Sequence, residues 1–354
     1  MSVEGLRQRI DDIDRKLVEL LNERAAAALE IGKLKTTDNM PVYAPHREAE
    51  VVRQIKSGNP GPLPDSSLEA IYREIISCMR GLEKVPRVVY LGPPGTFTHQ
   101  AARDHFGTCV EYSPAETIES VFIAVSKHQA DLGVAPIENS MGGGVIETLD
   151  MFMEYDLKIC DEIVLEIHQN LLGKCRLEEV KKVCSKPEAL TQCRIWLSEH
   201  LPHVEILPAA STAIAAKTAA EEPGTAAVAS LEAAELYELD VLAGNIEDHH
   251  DNVTRFVVLS RYLCGRTGRD RTSIMFAVKN EVGALYKMLS PFKKANINMT
   301  KIESRPSRTK AWDYCFFVDF LGHAEDPAVR KALEELEKQC RHLQILGSFP
   351  VSDA

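Results

Sequence analysis

Most of the patterns that mark metal, nucleotide and membrane proteins are missing from this sequence. Its nine cysteines form no CxxC pair and no His/Cys cluster with metal-ligand spacing, so we predict free thiols and no bound metal. Neither a GxGxxG motif nor a P-loop is present, which argues against a nucleotide cofactor. No apolar run is long enough to cross a bilayer, and the N-terminal residues lack a signal-peptide core. The sequence therefore predicts a cytoplasmic protein that needs no cofactor and has no membrane partner.

An excess of positive charge is missing as well. The 354 residues carry a formal net charge of −11, and residues 86–265 hold 13 Lys and Arg against 27 Asp and Glu. This distribution gives no footprint for a nucleic acid. It also repels anions at long range, so an anionic ligand in this region needs cations close to it. The length predicts two or three domains.

The first 85 residues are predicted to be helical. Apolar residues recur at helical spacing from Leu6 to Ile31, and two cations, Arg24 and Lys35, fall on the same stripe. Positions eleven apart on an α-helix differ by roughly 20°, so both cations face the side that should be buried. A buried cation needs an anion nearby, which predicts an anionic ligand. The alternative is that both side chains reach solvent along their aliphatic stems.

This first helix is long, roughly 45 Å from Leu6 to Lys35. Arg7 lies roughly 100° around the axis from Arg24, so it would serve the site of a partner chain better than its own. The helix is therefore predicted to dimerise. Two further helices are predicted at 43–56 and 68–82, with Glu83 facing inward at the end of the second.

Residues 86–265 alternate strand-like and helical runs. RVVYLGPPGTFTHQAA is predicted to form a strand, a Gly/Pro turn and a helix that begins near Thr98. The strand-like runs DLGVAPI, VCSK, AAVAS and RFVVLS follow, separated by helical segments. This alternation is typical of an α/β fold with largely parallel strands.

Residues 266–354 follow the order β-α-β-β-α-β. Strands are predicted at 271–278, 298–306, 313–322 and 342–349, and helices at 283–296 and 327–340. This order is that of a ferredoxin-like split βαβ unit. The chain is thus divided into three predicted domains, at 1–85, 86–265 and 266–354.

Motifs in all three segments resemble those of one family. The first segment contains LRQRIDDID, IGKLK and HREAEVV, and the second contains YLGPPGTFTHQAA, GVAPIENS, ETLD and DNVTRF. The third contains GAL at 283–285 and ESRP at 303–306. Together they resemble the bifunctional chorismate mutase–prephenate dehydratases. The resemblance implies an all-α mutase domain, a two-lobed α/β dehydratase domain and an α+β ACT regulatory domain.

The resemblance implies a mutase site that two chains share. Its implied residues, with the first coming from the partner subunit, are Arg7, Arg24, Lys35, Arg47, Glu48 and Glu83. The cations would bind the carboxylates and polar groups of chorismate, and Glu48 would accept the substrate hydroxyl. Glu83 would donate to the ether oxygen, which it can do only while protonated. Because the rearrangement to prephenate is unimolecular, the site needs only to hold the reactive conformer and stabilise charge.

For the dehydratase, the resemblance places Thr254 and Arg255 of the TRF motif at the centre. Arg255 would hold a substrate carboxylate, and Thr254 would act on the leaving hydroxyl as a polarised donor or relay. The cleft would also be lined by Glu138, Asn139, Ser140, Ser185, Gln192 and Ser211. From the residues alone, Thr254 and Arg255 could instead cap an exposed strand, and the neighbouring His249 and His250 are interpreted as a solvated turn.

For the ACT domain, the resemblance implies a phenylalanine site between two copies. The implied residues are Gly283, Ala284, Leu285, Asn296, Asn298, Glu303 and Ser304. Phenylalanine would then be a feedback inhibitor of a homodimer or tetramer, and a chain ending near Arg266 would stay active and ignore it. The alternative is a merely structural domain.

Two other functions stay open at this point. Ala44 and Met79 stand where some relatives have Asp and Ser, so the helical domain could be an inactive dimerising module on a monofunctional dehydratase. A non-enzymatic amino-acid sensor, with a two-lobed binding domain and an ACT domain, is the second. The TRF and PIENS motifs argue against the sensor.

Overall fold

The computed structural model describes residues 2–37, 40–278, 281–306 and 314–352. The first part is helical, as predicted, with helices α1 (Val3–Thr37), α2 (Pro45–Ser57) and α3 (Asp65–Glu83). Pro45 opens α2 in its first turn, where the missing N–H has no helical partner to lose.

The apolar stripe of α1 is exposed in the single chain, in contrast to the predicted burial. Leu6, Ile10 and Leu17 are 43%, 56% and 50% exposed. Only the C-terminal part of α1 is covered, where Ala28 and Gly32 are buried. Since α3 has 19 residues and α1 has 35, α3 can cover about half of α1. An exposed apolar face of this length is typical of an interaction surface.

The central part consists of two mixed sheets with helices around them. Its elements are β1 (Arg87–Leu91), α4 (Phe97–Phe106), β2 (Glu111–Ala115), α5 (Ile118–Ser126), β3 (Leu132–Asn139), β4 (Gly143–Gly144), α6 (Ile146–Glu154), β5 (Lys158–Glu166), β6 (Asn170–Gly173), a short 3₁₀ helix (Leu177–Glu179), β7 (Lys182–Ser185), α7 (Pro187–Gln192), α8 (Arg194–His200), β8 (Glu205–Pro208), α9 (Thr212–Glu221), β9 (Thr225–Ala229), α10 (Leu231–Tyr237), β10 (Asp240–Ala243) and β11 (Val253–Ser260).

Each sheet forms one lobe. Lobe one has the strand order β2-β1-β3-β11-β5, with β4 paired to β3, and lobe two has the order β10-β6-β9-β7-β8. β1 and β7 are parallel to both of their neighbours, but β11 is antiparallel to β3 and β5, and β6 is antiparallel to β9 and β10. The predicted parallel pairing therefore holds for only part of each sheet. The chain leaves lobe one after β5 and returns in β11, which enters the sheet in the opposite direction.

The third part has the predicted ferredoxin-like order. Its elements are β12 (Asp270–Val278), α11 (Ala284–Lys294), β13 (Met299–Pro306), β14 (Tyr314–Leu321), α12 (Pro327–Glu337) and β15 (His342–Pro350). They form one antiparallel sheet with the order β13-β14-β12-β15. The predicted strand at 313–322 begins with Asp313, which lies outside the described residues.

Both faces of this third sheet are covered. Alternate side chains of a strand point to opposite faces, so Phe276 and Val318 pack with α11 and α12, whereas Met275 and Phe317 belong to the core of lobe one, together with Phe349. The approach of the two parts is close at Gly347, where a Cβ atom would lie 1.9 Å from the carbonyl oxygen of Ile159. The third part and lobe one thus share a hydrophobic core.

Within the described ranges, none of the helices combines the length and the apolar character that a membrane span requires. The same residues contain no group of three or more His, Cys, Asp or Glu side chains that could hold a metal ion.

Candidate active sites

Two of the predicted mutase residues meet at the C-terminal ends of α1 and α3. The Lys35 ammonium lies 2.8 Å from Oε2 of Glu83 and donates to the carbonyl of Val42 at 3.0 Å. The side chains of Lys35 and Glu83 are only 20% and 9% exposed. Gly32 permits this contact, because a Cβ atom there would lie 3.1 Å from Glu83 side-chain carbons.

This surrounding differs from the one expected for a protonated Glu83. The Glu83 carboxyl group forms an ion pair with the Lys35 ammonium at 2.8 Å. A Glu83 that donates to a substrate oxygen therefore requires that the bound substrate first separates this ion pair. The proposed donor role stays a prediction.

Glu48 lies at the boundary between the helical part and lobe one. Its Oε1 is 3.5 Å from Nε of Arg80. The Arg80 guanidinium is buried, donates to the carbonyl of Phe106 at 2.8 Å and lies over the rings of Tyr43 and Phe106. Burial raises the pKa of Glu48, and the nearby Arg80 opposes that rise. Arg80 was missed in the sequence analysis because its partners, Glu48 and Phe106, are distant from it in the sequence.

A cavity of about 690 Å³ opens beside this pair, between α2, α3 and lobe one. Its lining includes Glu48, Arg80, His105 and Asp161. The Tyr43 hydroxyl donates to Asp161 at 2.5 Å and lies 2.7 Å from Nε2 of His105. These polar contacts fix the helical part on lobe one. No local pattern predicts them, because the partners are 56 to 118 residues apart.

Within the described part of a single chain, the other predicted mutase cations lie apart from the Lys35–Glu83 pair. Arg24 is half-buried on α1, and Arg47 pairs with Glu50 on the surface of α2. Arg7 is 72% exposed and lies 28 residues before Lys35, about 42 Å along the same helix. Arg7 therefore cannot reach the Lys35 site of its own chain.

A network of uncharged side chains joins the two lobes. Nδ2 of Asn139 donates to Oγ1 of Thr254 at 2.9 Å and to Oδ1 of Asn252 at 2.7 Å. Asn252 in turn donates to Oε1 of Gln192 at 3.2 Å, and Gln169 donates to the same oxygen at 3.1 Å. Three of the predicted residues, Asn139, Gln192 and Thr254, are thus joined. Asn252 and Gln169 were missed, although Asn252 belongs to the DNVTRF motif.

Glu138 and Arg255 lie on the opposite face of the same two strands. Thr254 is the cross-strand partner of Asn139, and Arg255 is the partner of Glu138. Since successive side chains of a strand alternate in direction, Arg255 points away from the Thr254 network and towards the third part of the chain. The predicted role of Arg255 as a substrate clamp stays a prediction, and this orientation does not favour it.

Three carboxylates surround the buried Arg255 guanidinium. Glu138 accepts from Nη2 at 2.8 Å, Asp319 of β14 accepts from Nη2 at 2.5 Å, and Glu162 accepts from Nη1 at 3.3 Å. Burial alone would lower the pKa of Arg255, but Asp319 and Glu162 raise it above its ordinary value. Burial raises the pKa of Glu162, against the effect of Arg271 and Arg255.

The three serines predicted for the dehydratase site all have structural partners. The Ser185 hydroxyl is buried and donates to the carbonyl of Val228 at 2.5 Å. Ser211 caps α9 by accepting from the backbone N–H of Ile214. Ser140 accepts from the N–H of Val253 at 3.0 Å, which ties the end of β3 to the start of β11. Ser140 thus holds the strands that carry Asn139 and Thr254.

A buried carboxylate stands where the lobes join. Glu247 accepts from the backbone N–H of Gln169 at 2.9 Å and lies 2.8 Å from Nδ1 of His168. Burial would raise the pKa of Glu247, but the hydrogen bond to His168 and the backbone N–H groups lower it overall. The same hydrogen bond raises the pKa of His168. His250, on the predicted turn, is 71% exposed.

The predicted effector residues divide between two faces of the third part. Gly283 caps α11 with a φ of +76°, a left-handed conformation that favours glycine. Exposed positions are Gly283, Asn296, Asn298 and Ser304, whereas Ala284 and Leu285 are half-buried. Glu303 faces the dehydratase part, where its carboxylate lies 3.2 Å from the position of a Cβ atom on Gly144. Because they are adjacent on β13, Glu303 and Ser304 point to opposite faces.

The fold and the sites define a multidomain enzyme with a helical domain, a two-lobed α/β domain and a ferredoxin-like domain. Models of three families match the same parts: chorismate mutase type II over residues 6–84, prephenate dehydratase over residues 88–262 and the ACT domain over residues 272–338. The chain is 49% identical over 350 residues to a bifunctional chorismate mutase/prephenate dehydratase from Aquifex aeolicus (strain VF5), with 98% of this chain and 97% of the relative covered. It belongs to the bifunctional chorismate mutase/prephenate dehydratase family, whose members join an isomerase and a lyase in one chain.

Two solved structures resemble the last three quarters of the chain. A prephenate dehydratase from Arthrobacter aurescens in complex with L-Phe is 34% identical with a TM-score of 0.70, covering 75% of this chain and 90% of that one. A protein described as GqqA, a quorum quenching acylase, is 31% identical with the same TM-score, covering 75% and 98%. One fold thus hosts relatives with different described activities, and the nearly full-length match to a bifunctional relative decides between them here.

Proposed function

We propose that this chain converts chorismate to prephenate and prephenate to phenylpyruvate, in two separate sites. The observation that carries the proposal is the Asn139–Thr254–Asn252 network where the two lobes meet, combined in one chain with the Lys35–Glu83 pair of the helical domain. Each site suits a reaction that requires binding and positioning rather than a covalent intermediate.

The mutase step is a rearrangement of a bound dianion. Lys35 supplies a half-buried cation, and Arg24 lies eleven residues before it on the same face of α1, about 16 Å away. These cations would hold the substrate in its reactive conformer and stabilise negative charge on the ether oxygen. When a substrate carboxylate takes the place of Glu83 beside Lys35, Glu83 becomes available as a donor in its protonated form.

The dehydratase step removes CO2 and the ring hydroxyl together. The electron pair of the breaking C–C bond enters the ring, which becomes aromatic as the hydroxyl leaves and takes up a proton to form water. Thr254 fits this step because its Oγ1 already accepts from Asn139, so its own proton is directed elsewhere and can be donated to the leaving hydroxyl. Asn139, Asn252 and Gln192 would keep Thr254 in place.

We further propose that the protein acts in the cytoplasm as a homodimer, paired along the exposed stripe of α1. In an antiparallel pair, Arg7 of the partner subunit would lie beside the Arg24–Lys35 stretch. The Arg7 side chain of the same chain cannot reach Lys35. Changing Ile13 to Lys places a charge in the middle of this face. The variant should sediment as a smaller species, lose mutase activity and keep dehydratase activity. A variant with unchanged mass in light scattering would contradict this pairing.

Phenylalanine is the proposed effector, bound at the exposed end of the ACT domain near Gly283 and Ser304. The N-terminal end of α11, which has no side-chain cap, suits a carboxylate. Binding there would inhibit the dehydratase by favouring one conformation.

The two activities should be separable in the purified protein. Chorismate consumption is followed by ultraviolet absorbance, and phenylpyruvate is measured after supplying prephenate. Lys35→Ala should abolish the first activity and spare the second, whereas Thr254→Ala should do the reverse. If the unchanged protein turns over prephenate but leaves chorismate intact, the monofunctional alternative is correct. Loss of both activities in either folded variant would contradict two independent sites.

A further inference from the structure

The ACT domain reaches the strands that hold the dehydratase network through buried charges. Arg255 and Glu138 face the ACT domain, and their chain neighbours Thr254 and Asn139 face the cleft. We propose that Asp319 is a positioning residue of the dehydratase: by holding Arg255 it sets the place of Thr254, and it couples the ACT domain to the cleft. This inference deepens the proposed function and rests on it.

The charges in this cluster balance only when both domains are in place. Lobe one supplies Glu138, Glu162 and Arg255, two anions and one cation. The ACT domain adds one anion and two cations, with Asp319 on Arg255, and with Lys301 and Arg271 at 3.5 Å and 3.6 Å from Glu138 and Glu162. A buried charge without a partner is strongly unfavourable. The position of Arg255 therefore depends on the ACT domain.

Asp319 is itself held by hydrogen bonds to both carboxylate oxygens. Its Oδ2 accepts from Arg255 at 2.5 Å, and its Oδ1 accepts from the Ser273 hydroxyl at 2.6 Å. The side chain is 6% exposed. Both oxygens of the Asp319 carboxylate form short hydrogen bonds, at 2.5 Å and 2.6 Å. A displacement of the ACT sheet would therefore move this carboxylate and, with it, the Arg255 guanidinium.

Strand β13 provides the connection to the proposed effector site. Lys301 donates to the carbonyl of Ile137 at 3.3 Å and faces Glu138, whereas Ser304, three residues along, lies on the exposed face. β13 also pairs with β14, which carries Asp319. A ligand that shifts β13 would move Lys301 and Asp319 together. Both contact the Glu138–Arg255 pair, one peptide bond away from Asn139 and Thr254.

The test is Asp319→Asn in the full chain, which keeps the size of the side chain and removes its charge. The dehydratase kcat should fall about tenfold with KM changed less than twofold, because Thr254 is misplaced rather than removed. The ratio of dehydratase activity without and with saturating phenylalanine should fall at least fivefold, within the usual range of coupling between sites. Phenylalanine binding, measured by calorimetry, and mutase activity should both persist.

Glu325→Gln, on an ACT side chain that is 75% exposed, is the matched control and should change nothing. If Asp319→Asn fails to fold, mutase activity is lost as well. Ser273→Ala then tests the same contact, because it removes one hydrogen bond to Asp319. This variant should shift the inhibition ratio in the same direction. In an Arg255→Lys background, Asp319→Asn should add little. Unchanged kcat and unchanged inhibition would overturn the inference. An unchanged protein without dehydratase activity would instead refute the proposed function, and this is seen before any variant is made.

A second inference comes from a pair of thiols between the helical domain and lobe one. Sγ of Cys109, in the loop before β2, lies 3.1 Å from Sγ of Cys78 on α3. The loop is anchored on α3, because the N–H of Cys109 donates to Ser77 and Thr108 donates to Glu74. Cys78 is exposed and Cys109 is half-buried, so an oxidant can reach the pair.

We infer that Cys78 and Cys109 form a disulfide with a small-molecule disulfide as the oxidant. One thiolate attacks the oxidant and releases one thiol, and the second thiolate attacks the mixed disulfide and releases the other. The two cysteines lose two protons and two electrons, and the oxidant becomes two thiols. The bond would join α3, which ends at Glu83, to lobe one.

The full chain is incubated with glutathione disulfide, alkylated and analysed by peptide mass spectrometry. A peptide pair joined through Cys78 and Cys109 is expected, with a rise of a few degrees in the unfolding temperature. Cys78→Ser or Cys109→Ser should abolish both, and Cys175→Ser should abolish neither. Stable glutathione adducts, or a disulfide elsewhere, would overturn the inference.

Discussion

Removing residues 266–354 should unfold lobe one rather than release an unregulated enzyme. The sequence alone predicted that a chain ending near Arg266 stays active and ignores phenylalanine. The structure leads to the opposite expectation, because one face of the ACT sheet belongs to the core of lobe one.

The size of the effect follows from the side chains that are lost. Met275, Phe317, Leu346 and Phe349 are at most 4% exposed and pack in the cluster that contains Ile159. At about 1.5–3 kcal/mol for each buried apolar side chain, their removal costs about 6–12 kcal/mol as an upper estimate. The loss is comparable to the whole stability of a domain, about 5–15 kcal/mol. Arg255 would also lose Asp319, and Glu162 would lose Arg271.

Residues 1–265 and the full chain would be compared by circular dichroism, thermal unfolding and size-exclusion chromatography, followed by the dehydratase assay. We expect the shortened chain to aggregate or to unfold without a cooperative transition, with dehydratase activity lost. A monodisperse shortened chain that unfolds cooperatively within a few degrees of the full chain and turns over prephenate normally would refute the shared-core reasoning.

Three further predictions concern single side chains. Glu83→Gln keeps a donor that does not ionise, so mutase turnover at saturating chorismate should decline less towards alkaline pH than in the unchanged protein, and superimposable profiles would exclude Glu83 as the donor. Gly347→Ala should destabilise the protein by at least about 1–3 kcal/mol in denaturant unfolding because its Cβ has no room, whereas Gly244→Ala, with 3.6 Å to its nearest neighbour, should not. His168 has a raised pKa and Glu247 a lowered one, so their pair stabilises the protein above about pH 4.5 and below about pH 6.5, and this contribution is lost as pH rises through the pKa of His168. His168→Gln should therefore flatten the decline in unfolding temperature above about pH 6.5, and an unchanged decline would contradict it.

Local patterns predicted the elements because their causes are local. The helical spacing of the first 85 residues, the strand–turn–helix at residues 87–106 and the β-α-β-β-α-β order at the end all appear in the structure. The direction in which neighbouring strands pair could not be predicted from these local patterns. Whether β11 runs parallel or antiparallel depends on a chain path through lobe two, which no property of residues 253–260 encodes.

The candidate dehydratase site, too, could be predicted only in part. Asn139 and Thr254 were predicted and are in contact, but Glu138 and Arg255, one residue away from them, point to the opposite face. The alternation of side chains between the two faces of a strand can be predicted from a sequence. Which of the two faces lies between the lobes depends on how the lobes pack. Strand β12 contains the apolar run IMFAV and strand β14 contains CFFV, and such short runs are consistent with strands buried on both faces. That pattern was the available signal that a second domain would cover them.

The sequence by itself determined the fold class of each part and the family, because these follow from periodicity and from motifs within short stretches. Only the tertiary structure decided that Arg255 is enclosed by Glu138, Glu162 and Asp319, that Lys35 pairs with Glu83, and that the ACT sheet completes the core of lobe one. The reason is physical: the partners of a buried charge or an apolar face are chosen by which surfaces exclude water together. In this chain the charged partners of Lys35 and Arg255 are 48 to 117 residues away.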